Sequence, residues 1–192
     1  MANNSYDLGQ YVADLRAIAA ATSDEAEILG RVAPLAKKLA AGKESWLRPK
    51  HYEIDIEQGF GLHLLHEEPD HGLAVFAIAW APHDGFGPHD HGTWTVVAGV
   101  EGVERNVKYN RLDDRARSDH ATLAERCTIL AGAGDVICIR AKGIHAVWND
   151  SDHVTISLHT YGRHINYTGR SSFDLETNKV KPVVVAIRGI RD

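Results

Sequence analysis

Apolar residues recur at helical spacing in the N-terminal part of the chain, from Ser5 to Ala41. They return every three or four positions, which is the period of one face of an α-helix. The polar run Thr22-Ser23-Asp24-Glu25 interrupts the pattern and offers a Ser or Thr N-cap followed by an acidic first turn. The pattern therefore predicts two amphipathic helices.

A helix pair is also typical of helix-turn-helix DNA-binding proteins, so its charge matters. Residues 1–50 contain seven Lys or Arg and six Asp or Glu. A helix pair that reads DNA usually has a clear excess of positive charge. We therefore interpret both helices as elements that pack on the rest of the protein.

After Lys50 the pattern changes to short runs of β-branched, aromatic and alternating residues, which are typical of strands. Turn-forming runs such as Gly132-Ala133-Gly134-Asp135 join neighbouring runs as antiparallel hairpins. This spacing is typical of a β-sandwich or barrel. The predicted strands cover residues 51–56, 60–65, 73–80, 93–98, 103–109, 127–130, 135–139, 145–149, 154–161 and 183–187.

The chain of 192 residues is long enough for one sizeable core and short for two. We expect a single domain, 1–192, in which helices within 1–45 pack on an all-β barrel formed by 46–192. Cys127 and Cys138 are the only cysteines, so the sequence contains no disulfide framework and no CxxC motif.

The formal net charge of −5 gives no general attraction to nucleic acids or anionic lipids. No apolar run reaches the length of a membrane span, and the polar N-terminus lacks the features of a signal peptide. We expect a cytoplasmic protein with neither a nucleic-acid nor a membrane partner.

Histidine is unusually frequent, with 12 copies, and His89-Asp90-His91 is the sharpest local pattern. Residues two apart in a strand point to the same face and can bind one metal ion together. An isolated HxH pair also arises by chance, so a third ligand decides the interpretation. The best candidate is His145, which closure of the sheet would bring beside the pair.

These segments resemble the two motifs of the cupin superfamily. His89, His91 and Gly102 fit the first motif, and Gly134, His145 and Asn149 fit the second, with the family's spacing. The resemblance implies a cupin barrel, a jelly roll also called a double-stranded β-helix. The sequence departs from the motif glycines and proline at His83, Arg140 and Lys142.

Thr95 occupies the position of the cupin glutamate ligand, so the acidic ligand is missing. A three-histidine cupin site resembles the thiol dioxygenases, which include cysteine dioxygenase and 3-mercaptopropionate dioxygenase. The resemblance implies Fe(II) as cofactor, held by His89, His91 and His145, with O2 and a small thiol carboxylate as substrates and a sulfinate as product.

Ser157, His159 and Tyr161 alternate along a predicted strand and therefore project to one face. They match the Ser-x-His-x-Tyr relay of the thiol dioxygenases, which implies a catalytic role for all three. The alternative is a half-buried strand with polar residues on one side. Polar side chains that face a barrel interior need partners or a site.

Arg170 follows Tyr161 by nine residues, the spacing of the arginine that binds the substrate carboxylate in mercaptopropionate-type enzymes. The earlier strand position of the cysteine dioxygenase arginine is occupied here by Leu62-His63-Leu64-Leu65. The resemblance therefore favours a mercapto-acid over cysteine. His63 and Arg163 are further candidates for substrate contact, and no tyrosine–cysteine thioether is expected.

Other functions remain compatible with the same histidines. Three histidines and an open position also form a catalytic zinc site that activates water or polarises a carbonyl. A noncatalytic cupin that captures an anion through Arg170 is a further alternative.

Overall fold

The computed structural model describes residues 6–188, and its first two elements are α-helices. Helix α1 spans Leu8–Ala21 and helix α2 spans Glu25–Ala41. Asp24 caps α2, since its carboxylate accepts a hydrogen bond from the Glu27 amide at 2.8 Å. The expected Ser or Thr cap is therefore wrong, because the acid in the same run reaches the free amides and also suits the positive end of the helix dipole. Ser5, where the helical pattern begins, lies outside the described residues.

The rest of the described chain is dominated by antiparallel strands in two sheets. The strands are β1 Phe60–Glu67, β2 Ala74–Trp80, β3 Gly85–His89, β4 Thr95–Glu101, β5 Glu104–Arg111, β6 Leu123–Ala131, β7 Val136–Ile139, β8 Ile144–Trp148, β9 Thr155–Tyr161, β10 Ser171–Phe173 and β11 Val180–Pro182.

Strand pairing is nested, as in a long hairpin folded over on itself. β5 pairs with β6 at the tip, and β4 with β7, β3 with β8 and β2 with β9 follow outward. Successive pairs alternate between the two sheets, whose orders are β1-β2-β9-β4-β7 and β11-β10-β3-β8-β5-β6. This is the jelly-roll arrangement, so the predicted all-β double-stranded β-helix with an N-terminal helix pair is confirmed.

The helices cover the outer face of the first sheet. Their apolar faces pack against the outward residues of β2, β4 and β9, among them Ala77, Val96 and Leu158. The Tyr11 hydroxyl and the Thr160 hydroxyl are hydrogen-bonded at 2.7 Å in this layer. Because strand residues alternate between faces, this packing holds β9 from outside and leaves Ser157, His159 and Tyr161 facing the barrel interior.

Two predicted strands are wrong. The first is 51–56, whose first two residues belong to a 3-10 turn, Pro49–Tyr52. Pro49 begins this turn, and the His51 ring accepts a hydrogen bond from the Arg48 amide at 3.1 Å. Residues 183–187 are not assigned to a sheet, because their contacts are made singly, for example Val185 N to the Asn166 side chain at 3.1 Å. Every other predicted strand is present, with ends that differ by a few residues.

Three observed strands were not predicted: β3, β10 and β11. β3 reads Gly-Phe-Gly-Pro-His, which lacks the β-branched residues that mark a strand. β10 and β11 are only three residues long each and pair with one another. Within residues 6–188, no helix combines the length and apolarity needed to cross a bilayer.

Candidate metal centre

Three histidine rings converge at one end of the barrel interior. His89 ends β3 and is the register partner of His145 on the adjacent strand β8. His91 lies two residues beyond the end of β3, so the HxH pair straddles a strand end rather than lying within a strand. One ring nitrogen from each of the three residues lies within 4.8 Å of the others. The sequence prediction that these side chains meet is confirmed.

Hydrogen bonds orient two of these rings. His89 Nδ1 lies 2.8 Å from the Gly87 carbonyl, and His145 Nδ1 lies 3.2 Å from Asn106 Oδ1. A carbonyl oxygen accepts hydrogen bonds only, so each Nδ1 carries the proton and each Nε2 keeps its lone pair. This arrangement, with one nitrogen anchored and the other free, is typical of histidines that bind metals.

All three rings are buried, and burial lowers the pKa of each imidazole. The pKa of His89 and that of His91 are held well below the usual value, by burial and then by neighbouring histidines. Burial lowers the pKa of His145 to about 3, with a further contribution from Lys108. The rings are therefore neutral near physiological pH, which is the form that binds metal.

Among the described residues, no aspartate or glutamate joins the histidine cluster. Thr95, at the position of the cupin acid, is fully buried and its hydroxyl donates to the Thr93 carbonyl at 3.4 Å. Neutral imidazoles suit divalent ions such as Fe(II) or Zn(II). Three such ligands fit a divalent ion but leave its charge uncompensated, so a bound metal would attract anionic ligands.

The histidines open into a narrow cavity, in which the space open to the centre of a water molecule is about 20 Å³. Most of its wall is apolar. The polar side chains that line it belong to the three metal-site histidines, His159, Tyr161, Trp80 and Arg170. The apolar residues that line it are Phe60, Leu62, Ile78, Phe86, Val147, Ile165 and Val185.

Arg170 supplies a buried positive charge to this cavity. The residue is 4% exposed, and its Nε atom has no hydrogen-bond partner among the described residues. Its guanidinium carbon lies 5.9 Å from the centre of the Phe86 ring. Burial lowers the pKa of Arg170, while Tyr161 and Asp90 oppose that shift. A buried cation without a hydrogen-bonded carboxylate is costly, and an anionic ligand would offset that cost.

The predicted relay residues form a continuous hydrogen-bonded row along β9. Ser157 Oγ lies 2.9 Å from His159 Nε2, and His159 Nδ1 lies 2.9 Å from the Tyr161 hydroxyl. Burial lowers the pKa of His159 to about 3 and raises that of Tyr161. His159 and Tyr161 both line the cavity, and the Tyr161 ring centre is 5.2 Å from that of His91.

Two predicted substrate residues do not line the cavity. His63 alternates with Leu62 on β1 and points to the other face, where its Nε2 lies 2.9 Å from the Glu53 carbonyl. Arg163 is exposed in the loop after β9, because the strand ends at Tyr161 before the inward alternation reaches it. The structure therefore brings Arg170, but neither His63 nor Arg163, to the histidines.

The two cysteines lie away from the cavity wall and are both free. Cys127 is exposed, and Cys138 is half-buried, where burial raises the pKa of its thiol. Neither cysteine lines the cavity beside Tyr161.

Sequence reasoning missed Asn106 and Glu104, two buried polar residues on β5. Asn106 anchors His145, and Glu104 accepts a hydrogen bond from the Thr155 hydroxyl at 3.4 Å. The signal was present, since the two residues alternate within the predicted strand 103–109 just as Ser157 and His159 do within theirs.

No protein-family model matches the chain. Similar solved structures include an oxalate oxidase in complex with glycolate, at 18% identity over 59% of this chain and 54% of that chain, with a TM-score of 0.45. A cupin superfamily protein from Desulfitobacterium hafniense is 14% identical over 58% of this chain and 83% of that one, with a TM-score of 0.43.

A further similar structure is a protein with a double-stranded β-helix domain from Klebsiella pneumoniae, at 12% identity over 63% of this chain and 90% of that one, with a TM-score of 0.44. The chain spans about half the length of the oxalate oxidase chains it matches. The double-stranded β-helix named for the Klebsiella pneumoniae protein is also the arrangement that the strand pairing of this chain shows.

Proposed function

We propose that the protein is a non-haem Fe(II) thiol dioxygenase that oxidises a small mercapto-carboxylate, of the 3-mercaptopropionate type, to its sulfinate with O2. One observation supports this most strongly. A cluster of three neutral histidines without a carboxylate shares a small cavity with Arg170, a buried cation whose Nε has no partner among the described residues.

The charge of the site favours a dianionic ligand. His89, His91 and His145 would hold the metal ion, and Arg170 adds a second positive centre in the same cavity. A thiolate and a carboxylate on one small molecule would offset both charges in a site from which water is largely excluded. When bound, iron would supply the redox chemistry that joins the substrate thiolate to O2.

Arg170 would hold the substrate carboxylate through its planar guanidinium, which matches a carboxylate with two parallel hydrogen bonds. The apolar wall would contact the carbon chain between the two anionic ends. Among the described residues, the cavity lining contains no aspartate or glutamate, so the ammonium group of cysteine would have no carboxylate partner there. This favours mercapto-acids that lack an amino group.

Tyr161 would act on the reacting end of the substrate. Its hydroxyl is held 2.9 Å from His159 Nδ1 and belongs to the cavity wall. His159 is in turn held by Ser157 at 2.9 Å, so the phenol is fixed in position before the ligand arrives. Preorganised hydrogen-bonding groups of this kind are effective in buried sites, because they need no reorganisation during the reaction.

Oxygen uptake by iron-reconstituted protein tests this function. The expected result is uptake of O2 with 3-mercaptopropionate, one molecule per sulfinate formed, and slower uptake with cysteine. Zinc-loaded protein is the matched control and should bind the thiol without consuming O2. Faster oxidation of cysteine to its sulfinate would contradict the proposed substrate class. Thiol binding without uptake in the iron form would favour the noncatalytic alternative.

A further inference from the structure

The hydrogen-bonded row on β9 ends beside a buried carboxyl group on the neighbouring sheet. Glu104 begins β5, is 4% exposed and faces the barrel interior. The Thr155 hydroxyl donates to its Oε1 at 3.4 Å, and the Ser157 hydroxyl adjoins the same carboxyl and favours its ionised form. Glu104 therefore lies at the far end of the row that leads through Ser157 and His159 to Tyr161 at the cavity.

The environment of Glu104 keeps both of its protonation states within reach near neutral pH. Burial raises the pKa of its carboxyl to about 7, although the hydroxyls of Ser157 and Thr155 act in the opposite direction. The titratable groups that face the barrel interior around it are His159 and Tyr161 on β9 and His145 on β8. Its register partner on β6 is the uncharged Ala131.

The state of Glu104 determines which way the hydrogen bonds of the row point. When Glu104 is ionised it only accepts, so Ser157 donates to it and His159 Nε2–H donates to Ser157 Oγ. His159 Nδ1 then has a lone pair, to which the Tyr161 hydroxyl donates. In this state Tyr161 offers only oxygen lone pairs to the cavity.

When Glu104 is protonated, the whole row is reversed. The carboxyl O–H donates to Ser157 Oγ, Ser157 donates to His159 Nε2, and His159 Nδ1–H donates to the Tyr161 oxygen. The Tyr161 O–H is then free to donate into the cavity. The two arrangements differ by one proton. Transfer of this proton along the row leaves the charges of Ser157, His159 and Tyr161 unchanged.

We propose that Glu104 is the terminal proton acceptor of this row and ionises the substrate thiol through it. The step rests on the proposed function and moves protons only. The thiol S–H gives its proton to the Tyr161 oxygen, Tyr161 passes its own proton to His159 Nδ1, His159 passes the Nε2 proton to Ser157, and Ser157 passes its proton to Glu104. The thiol becomes a thiolate, the carboxylate becomes a carboxylic acid, and no bond between heavy atoms changes.

Glu104→Gln tests the proposal, because the amide keeps the size and hydrogen-bonding capacity of the side chain but cannot accept the proton. In iron-loaded wild type, kcat/KM for the thiol should rise with pH through about 7, as Glu104 ionises. The variant should lose this limb and at least about 100-fold in rate, the lower range of general-base effects. Its iron content should be unchanged.

Two further variants separate proton transfer from a structural role. Glu104→Asp should retain the pH-dependent limb, since it restores a carboxylate. Glu101→Gln is the matched control, because Glu101 lies outside the barrel in an ion pair with Lys43 at 2.6 Å, and it should leave the profile unchanged. An unchanged limb in Glu104→Gln, or loss of the limb in Glu101→Gln as well, would overturn the proposal.

Infrared difference spectra of metal-free protein provide a readout that does not need turnover. Wild type should show a protonated carboxyl band that disappears as pH rises through about 7 and is missing from Glu104→Gln. Ser157→Ala should shift that titration to higher pH, since it removes a hydrogen bond that favours the carboxylate. A wild type that shows this band but oxidises no thiol would refute the thiol as proton source together with the proposed function. Absence of the band would refute the role of Glu104 alone.

Discussion

The Nε2 atoms of His91 and His145 lie 3.0 Å apart, although 54 residues separate them in the chain. His145 Nδ1 carries a proton for Asn106, so its Nε2 is a lone-pair atom aimed at the facing ring. His91 Nε2–H therefore donates to His145 Nε2, and a cation bound by both nitrogens would take the place of that proton. The close approach of the two rings therefore places two metal-binding nitrogen atoms at one point.

We expect Asn106→Ala to weaken metal binding about 10- to 100-fold, the usual cost of losing a group that orients a metal-binding histidine. The reason is that the variant removes the acceptor for His145 Nδ1–H and frees the ring to rotate. Metal affinity measured by competition with a chelator checks this. Asn110→Ala, an exposed change on the same strand, is the control and should leave affinity unchanged.

Removal of individual imidazoles should abolish stoichiometric metal binding. His89→Ala, His91→Ala and His145→Ala each leave two ligands, which hold a labile divalent ion poorly. Metal content of purified, reconstituted protein checks this. The exposed His153 is the control, and its replacement by alanine should have no effect. Full metal content in the His145 variant would exclude His145 as a ligand.

Arg170→Ala should depress turnover of mercapto-acids far more than turnover of an uncharged thiol such as 2-mercaptoethanol. The expected cost for the mercapto-acid is about 2 to 5 kcal/mol, as for other buried charged hydrogen bonds that lose one partner. Arg170→Lys should recover only part of the loss, because it keeps the charge without the planar guanidinium. Steady-state kinetics with both thiols check this.

Arg163→Ala and His63→Gln are matched controls for Arg170, since both residues lie outside the cavity lining. Neither should show a loss that is selective for the carboxylate. Equal losses of both thiols in Arg170→Ala would instead place Arg170 in a structural role.

Metal-free protein should lose stability as pH falls from 7 to 5, and His51 should account for part of the loss. Burial lowers the pKa of His51 to about 4, so the unfolded chain binds its proton first. Above the pKa that His51 has in the unfolded chain, its imidazole is neutral in both states and the fold keeps its full stability. As the pH falls below that pKa, the unfolded chain takes up the proton first, so the free energy of unfolding decreases. His51→Gln should reduce the loss by about 1 to 2 kcal/mol.

Urea unfolding of metal-free protein at the two pH values measures this difference. His153→Gln is the control because its side chain is exposed, and it should show the wild-type dependence. A His51→Gln variant with the full wild-type loss would contradict a buried neutral imidazole at this position.

The metal histidines could be predicted from local spacing, and the barrel from the resemblance to the cupin motifs. The hairpin predicted at Gly132-Ala133-Gly134-Asp135 is wrong, because β6 and β7 lie in different sheets. His89 and His91 are two residues apart, and His145 follows a recognisable turn and strand. Arg170 was predicted through the resemblance to mercaptopropionate-type enzymes, and the structure places it in the cavity wall.

The remaining features depend on tertiary contacts that no local pattern shows. His63 was assigned to the site, but the alternation of β1 fixes its side chain on the face away from the cavity. Asn106 was missed because its role exists only when β5 and β8 pair and place it beside His145. Residues 51–56 have the sequence pattern of a strand, but the hydrogen bond from the Arg48 amide to the His51 ring stabilises a 3-10 turn instead.

Isotopic labelling of O2 tests whether the protein is a thiol dioxygenase. Iron-loaded protein is incubated with 3-mercaptopropionate under isotopically labelled O2, and the mass of the product is measured. We expect a sulfinate in which both new oxygen atoms carry the label, because both come from O2. A product with oxygen from water, or a disulfide as the sole product, would contradict a thiol dioxygenase.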